Sequence, residues 1–113
     1  MESGKFIGLL FQSRDVMHIA HLQTRSFAEH KALNHYYDNI LDLTDKFTEV
    51  YFGRSGRCKI IIPQSEVMDA VTHLTAMQKL IEAERVNYTS ELQNIMDEML
   101  ALVNKVLYLL TLS

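Results

Sequence analysis

The sequence predicts an all-α protein, a four-helix bundle in which one crossover is longer than the two other links. Apolar residues recur at helical spacing along four segments. Glycine and proline are scarce, with four and one respectively among 113 residues. Two of the glycines and the proline fall between Gly53 and Ser65, where they interrupt the periodic pattern and divide the chain into two halves.

The first predicted helix covers residues 4–24. Its buried side is predicted from residues at helical spacing, namely Phe6, Leu9, Leu10, Ser13, Val16, Met17 and Ala20. A second apolar strip lies on another side of the helix and surrounds His18; it consists of Ile7, Phe11, Ile19 and Leu22. An outward apolar strip indicates a surface that a second copy or another partner covers.

The second predicted helix covers residues 26–52 and ends at Gly53, a good terminator. Ser26 and Glu29 have the spacing of a capping box. The predicted core residues are Leu33, Tyr37, Ile40, Phe47 and Tyr51. Four acids lie within about 40° of one another on the opposite side; they are Asp38, Asp42, Asp45 and Glu49, called here the acid stripe. A solvated face is the ordinary interpretation of such a stripe.

The second half predicts helices over residues 65–84 and 89–112. The third helix is predicted to bury Val67, Val71, Leu74, Met77, Leu80 and Ile81. The fourth opens with a second capping box, Ser90 to Gln93. Its apolar face consists of Leu92, Met96, Met99, Leu100, Val103, Leu107 and Leu110. Residues 59–62, Lys-Ile-Ile-Ile, predict a covered extended loop or a contact with another chain, since they are too few for a sheet.

Residues 1–113 are thus expected to form a single helical-bundle domain with one long crossover between the second and third helices, which is the ferritin-like arrangement. The 48% apolar content supports a real core. A net charge of −3 argues against a nucleic-acid binder. No signal peptide or membrane span is expected, and a single cysteine suits a reducing compartment. We therefore expect a protein of the bacterial or phage-infected host cytoplasm, with the virion as the alternative.

Histidines crowd the segment from Met17 to His30, which holds three of the five in the chain, and His35 follows. Imidazole and carboxylate ligands together suit Fe(II), Mn(II) or Zn(II), and a buried acid needs a countercharge, a proton or a metal. The ordinary alternatives are a carbonyl hydrogen bond for His21, exposure for His35 and a structural role for His73. The di-iron motif Glu-x-x-His on two helices is absent from the sequence.

The spacing of His18, His30, Asp45 and Glu49 resembles the intersubunit ferroxidase motif of the Dps (DNA protection during starvation) mini-ferritins. The resemblance implies iron bound between twofold-related subunits, histidines from one and acids from the other. It also implies oxidation by peroxide or oxygen inside a hollow oligomer, a dodecameric shell. His21 is an alternative ligand, and Asn34 stands where the family often has an acid. A Lys-rich tail is missing, which argues against DNA binding.

A second hypothesis comes from residues 30–53, His-Lys-Ala-Leu-Asn through Tyr-Phe-Gly, which are also similar to small ferritin-like proteins of bacteriophages. It makes the chain a non-catalytic oligomeric assembly or virion-associated protein that retains the fold. A third interpretation, a basic binding loop, rests on Arg54, Arg57 and Lys59. Three positive charges on a loop are usually just solvated.

Overall fold

The computed structural model describes residues 1–65 and 69–112, and it confirms an all-helical chain. The helices are α1 (Ser3–Gln23), α2 (Phe27–Ser55), α3 (Ala70–Glu84) and α4 (Ser90–Leu110), with a short 3₁₀ turn at Arg85–Asn87 before α4. The residues described contain no β-strand. Residues 59–62 have no regular secondary structure, and the predicted covering is wrong for Ile61 and Ile62, which are 41% and 61% exposed.

The four helices pack side by side in the order α1, α2, α4, α3, with α3 also touching α1. The short α1–α2 turn makes these two helices antiparallel: His21 stacks on His30 at one end and Phe6 contacts Phe47 near the other. The α2 and α4 helices are antiparallel too, because an ion pair joins Arg54 near the end of α2 to the first turn of α4.

The direction of α3 follows from its contacts with α1. His73, in the first turn of α3, bonds to Ser13 in the middle of α1. Glu84, the last residue of α3, lies 3.6 Å from the amino group of Met1. The α3 helix therefore runs antiparallel to α1 and in the same direction as α2, which requires the segment between α2 and α3 to travel back along the bundle.

That crossover lies against α1 at two glycines. The amide of Ile61 donates to the carbonyl of Gly4 at 3.1 Å, and the Gln12 amide group donates to the carbonyl of Pro63 at 2.6 Å. A Cβ atom at Gly4 or Gly8 would collide with the carbonyl oxygen of Lys59 or Ile61 respectively. The absence of side chains at these two positions lets the crossover backbone approach the helix.

The prediction of a continuous outward apolar strip on α1 is wrong for its N-terminal half. Ile7 is fully buried and Phe11 partly buried, whereas Ile19 and Leu22 are exposed by 43% and 68%. The crossover covers the N-terminal half of this side of α1 and leaves the C-terminal half bare. Only that second half can serve as an exposed apolar surface.

One helix end and two helix starts differ from the sequence predictions. The second helix continues through Gly53, the predicted terminator, to Ser55, and Gly56 is its C-cap. The third helix begins at Ala70 rather than 65, because the Asp69 side chain caps it by accepting from the Thr72 amide at 3.1 Å. Val67 lies outside the described residues, and Val71 is 49% exposed instead of buried. The fourth helix is preceded by Thr89 as its N-cap, so the predicted capping box starting at Ser90 is wrong.

Candidate functional site

Four aromatic side chains meet between α1 and α2, near the turn that joins the helices; His21 is buried and the other three are half-buried. His18 and His21 lie one turn apart on α1, and His30 and Tyr37 lie two turns apart on α2, so each pair shares a helix face. The His18 ring stacks on Tyr37 with centroids 4.1 Å apart, and the His21 ring stacks on His30 at 3.6 Å. We call these four residues the histidine cluster.

His21 and His30 are held by a reciprocal pair of hydrogen bonds. The Nδ1 atom of His21 is 2.5 Å from the carbonyl oxygen of His30, and the Nδ1 atom of His30 is 2.8 Å from the carbonyl oxygen of His21. A carbonyl oxygen only accepts, so each Nδ1 carries the proton and donates it. In the neutral ring Nε2 then keeps its lone pair, the arrangement that orients metal-binding histidines in proteins.

The turn before α2 fixes the position of His30. Ser26 caps the helix by accepting from the amide of Glu29 at 3.2 Å, which confirms the serine half of the predicted capping box. The other half is wrong: the amide of Ser26 donates to the Thr24 hydroxyl at 3.1 Å instead of to Glu29. The cap starts α2 close to the end of α1, which brings His30 level with His21.

Tyr37 connects the histidines to polar neighbours on α2. Its hydroxyl donates to the side-chain oxygen of Asn34 at 2.8 Å, and the Asn34 amide donates to Asp38 at 3.2 Å. The Arg14 guanidinium lies over the Tyr37 ring, 5.6 Å from the ring centroid. Asn34 is therefore engaged by two residues of its own helix.

The acid stripe points away from the core, as the helical spacing predicts. All four carboxylates are exposed. Asp38 accepts the bond from Asn34, but within the described parts of the chain the side chains of Asp42, Asp45 and Glu49 have no hydrogen bond or ion pair. These three negative charges are left without a countercharge inside one copy.

The predicted ligands are divided between two ends of the α1–α2 face. Asp45 follows Tyr37 by eight residues, or about 12 Å of helix, and lies level with the early turns of α1 because Phe6 contacts Phe47. A metal ion bonds its nitrogen and oxygen ligands at about 2.0–2.2 Å. A single copy therefore does not join His18 or His30 to Asp45 or Glu49. Across residues 1–65 and 69–112, no three metal-binding side chains converge.

Comparison with known proteins places the chain in a family. Residues 21–110 match the family described as "Family of unknown function (DUF5856)". The chain belongs to this family. The DUF5856 match includes His21, His30, Asp45 and Glu49, whereas Arg14 and His18 precede it.

A phage protein is also similar to this DUF5856 chain. Over 56 residues it is 41% identical to the "Uncharacterized 14.6 kDa protein in mobD-ri intergenic region" of Enterobacteria phage T4. The matched part is 50% of this chain and 44% of the phage protein, so less than half of that protein is covered. No solved structure matches the chain. The two sequence matches support a small phage-type protein.

The sequence did not single out a buried network that joins three helices of the DUF5856 chain. The hydroxyl of Ser13 on α1 lies 2.6 Å from the Tyr36 hydroxyl on α2 and 2.7 Å from Nε2 of His73 on α3. Burial lowers the pKa of His73, and burial raises the pKa of Tyr36 against the opposing effect of the Ser13 bond. A serine at a predicted core position of α1 was the available signal.

Arg54, predicted to lie on a basic loop, belongs to the last turn of α2 and forms an ion pair with Glu91 at 3.1 Å. In the described residues, no helix is long and apolar enough to cross a membrane.

Proposed function

We propose that the chain is an iron-binding oligomer of ferritin-like fold, related to the Dps mini-ferritins, that takes Fe(II) as its substrate between two copies. His18 and His30 of one copy and Asp45 and Glu49 of the other bind the ion, and peroxide or oxygen oxidises it. One observation supports the proposal most strongly. The histidines lie at one end of the α1–α2 face, and the unpaired Asp45 and Glu49 lie at its other end.

A twofold axis perpendicular to that face unites the two ends. Rotation about an axis through the middle of the face exchanges its ends, so histidines of each copy meet acids of the other. Leu41, one turn after Tyr37 and one turn before Asp45, lies at this middle and is partly buried. Exposed Ile19 and Leu22 add apolar surface for a second copy to cover.

The arrangement of the helices supports a ferritin-like fold. Bundles of that type have one long crossover and place two consecutive antiparallel pairs side by side. Here α1 and α2 form one pair, α3 and α4 the other, and α2 runs parallel to α3. The twofold face belongs to the first pair.

The donor groups suit iron in the divalent state. The Nε2 atoms of His21 and His30 are free of the carbonyl bonds, and the His18 side chain forms no hydrogen bond among the residues described. Neutral imidazoles and carboxylates are ligands for Fe(II), and the carboxylates offset the charge that grows on oxidation. Asn34 brings no negative charge, so a second iron position next to it would be the weaker one.

Anaerobic Fe(II) titration followed by peroxide tests the proposal. The expected result is a saturable rise in ferric absorbance in the wild type and its loss in Asp45→Asn/Glu49→Gln. The control variant, Glu2→Gln/Glu82→Gln, removes two exposed acids that lie outside α2 and should behave like the wild type. A wild type that shows no saturable response, or an Asp45/Glu49 variant that keeps it, would contradict the proposal.

A non-catalytic assembly protein of phage type is the second candidate, and Asn34 favours it. The amide at this position is engaged by Tyr37 and Asp38 and supplies no charge for a metal. On this hypothesis Asp45→Asn/Glu49→Gln leaves the assembled size unchanged or larger, because removal of negative charge costs nothing without a metal. Light scattering distinguishes the two candidates further: a hollow, dodecamer-sized particle supports storage, and a dimer or a virion-bound ring supports assembly alone.

A further inference from the structure

Arg14 is a fixed positive charge on the α1–α2 face, and the iron proposal makes no use of it. We propose that Arg14 of one copy pairs with the acid stripe of a second copy, so that the two copies associate through this face without any metal. The inference depends on the twofold face of the proposed function but not on iron binding.

Within its own chain the guanidinium of Arg14 has a cation–π contact with Tyr37 and one ion pair. It lies one turn before His18, and its Nη1 atom donates to Asp15 at 3.1 Å. That bond joins neighbours in sequence whose side chains are 28% and 65% exposed, so it contributes little. The Nε atom of Arg14 is buried and has no hydrogen-bond partner among the described residues. The buried Nε cannot reach a second copy, but the two terminal nitrogens of the guanidinium keep N–H donors that bond no other described residue.

The acid stripe lacks a cation of its own. Asp38 and Asp42 are four residues apart, as are Asp45 and Glu49, and like charges at this spacing repel each other. Lys46 lies within the same stretch of α2 but pairs with Glu98 of α4 at 3.4 Å. A second copy that covered this stripe without a countercharge would leave carboxylates desolvated and unpaired, which disfavours association.

The same rotation that moves the histidines moves Arg14 toward the stripe. Arg14 lies closer to the middle of the face than His18 does, since it precedes His18 on α1 while the acids lie level with the earlier turns. A twofold contact is formed twice, so two guanidiniums and two acid stripes are paired in each dimer. A guanidinium stays charged at all physiological pH values and can bind a carboxylate through two parallel bonds.

Sedimentation of the full chain in EDTA tests this pairing. The wild type should form dimers or larger species without metal, and added NaCl should weaken them because the pairing is electrostatic. Arg14→Gln should raise the dimer dissociation constant by about tenfold or more. Lys79→Gln, which removes an exposed cation from α3, should leave it unchanged. Circular dichroism of each variant shows that the helices are retained.

Charge reversal makes the test independent of the single substitution. Arg14→Asp should abolish association, and Asp42→Arg or Asp45→Arg in the same chain should restore it in EDTA. The inference would be overturned if neither Asp42→Arg nor Asp45→Arg restored association of the Arg14→Asp chain. It would also be overturned if Arg14→Gln associated as strongly as the wild type. A wild type that is monomeric in EDTA but dimerises with Fe(II) would overturn it and leave the iron proposal standing. Arg14-dependent dimers that never respond to iron would support the inference and contradict the iron proposal.

Discussion

At the level of single residues, the Ser13–Tyr36–His73 network shows how a buried position can select a protonation state. Two hydroxyl hydrogens serve two hydrogen bonds if Tyr36 donates to Ser13 and Ser13 donates to Nε2 of His73. A proton on Nε2 would leave one of the hydroxyl groups without an acceptor in this network. Burial acts in the same direction, because it lowers the pKa of the His73 imidazole.

This lowered pKa predicts that the fold loses stability in mild acid. The folded state keeps His73 neutral below the ordinary value of 6.5, while the unfolded chain takes up a proton there. The contribution is thus fully present above pH 6.5 and is lost as the pH falls toward the lowered folded value. The slope it adds to the free energy of unfolding is at most about 1.4 kcal/mol per pH unit. Urea unfolding from pH 7.5 to pH 5 measures it.

His73→Gln removes the titrating group and should flatten this pH dependence, while His35→Gln, outside the core, should not. The same slope in the wild type and in His73→Gln would show that His73 is not the group responsible. The network itself was beyond prediction from helical spacing. Tyr36 and Tyr37 are neighbours, about 100° apart on the helix, and only the packing shows that Tyr36 is the core residue and that Tyr37 lies beside the histidines.

At the level of the elements, the contact between α1 and the crossover predicts an unusual response to alanine. Gly8→Ala normally favours a helix by roughly 1 kcal/mol, but here the new Cβ would strike the backbone carbonyl of Ile61. Backbone cannot move aside as a flexible side chain can, so we expect the free energy of unfolding to fall by about 2 kcal/mol or more. Urea denaturation at neutral pH measures the change.

Gly53→Ala is the matched control, because a Cβ there meets nothing within 4 Å. Because Gly53 lies within α2, alanine there should raise the free energy of unfolding of the protein by about 0.5–1 kcal/mol. If Gly8→Ala were as stabilising as Gly53→Ala, the crossover would not lie against α1 as described.

The helix segments could be predicted from sequence because each carries enough apolar residues at helical spacing. The residues at which the helices begin were harder to predict. Thr89 and Ser90 are adjacent residues that can both cap a helix, and the structure has Thr89 at the N-cap. Asp69 begins the third helix later than the spacing of Val67 and Val71 indicated. The contact of Gly4 and Gly8 with the crossover joins segments more than 50 residues apart in sequence, which no local pattern reveals.

At the level of the whole molecule, the candidate site could be predicted only in halves. The side chains of His18, His21 and His30 come together because the α1–α2 turn is short and capped. The acids lie on the same face because Asp45 and Glu49 are one turn apart. The two halves are separated by about 12 Å along α2. This separation depends on which turns of α1 pack against which turns of α2. Whether the halves meet is a property of two copies.

Complementation between two defective variants measures that property most directly. One variant carries His18→Ala/His30→Ala and keeps its acids; the other carries Asp45→Asn/Glu49→Gln and keeps its histidines. Each alone should fail to bind Fe(II). After unfolding and refolding together, mixed dimers contain one intact site and one doubly altered site, so saturable Fe(II) binding should return. Binding that stays absent in mixed dimers, shown by differently tagged chains that co-purify, would contradict a site shared between two copies.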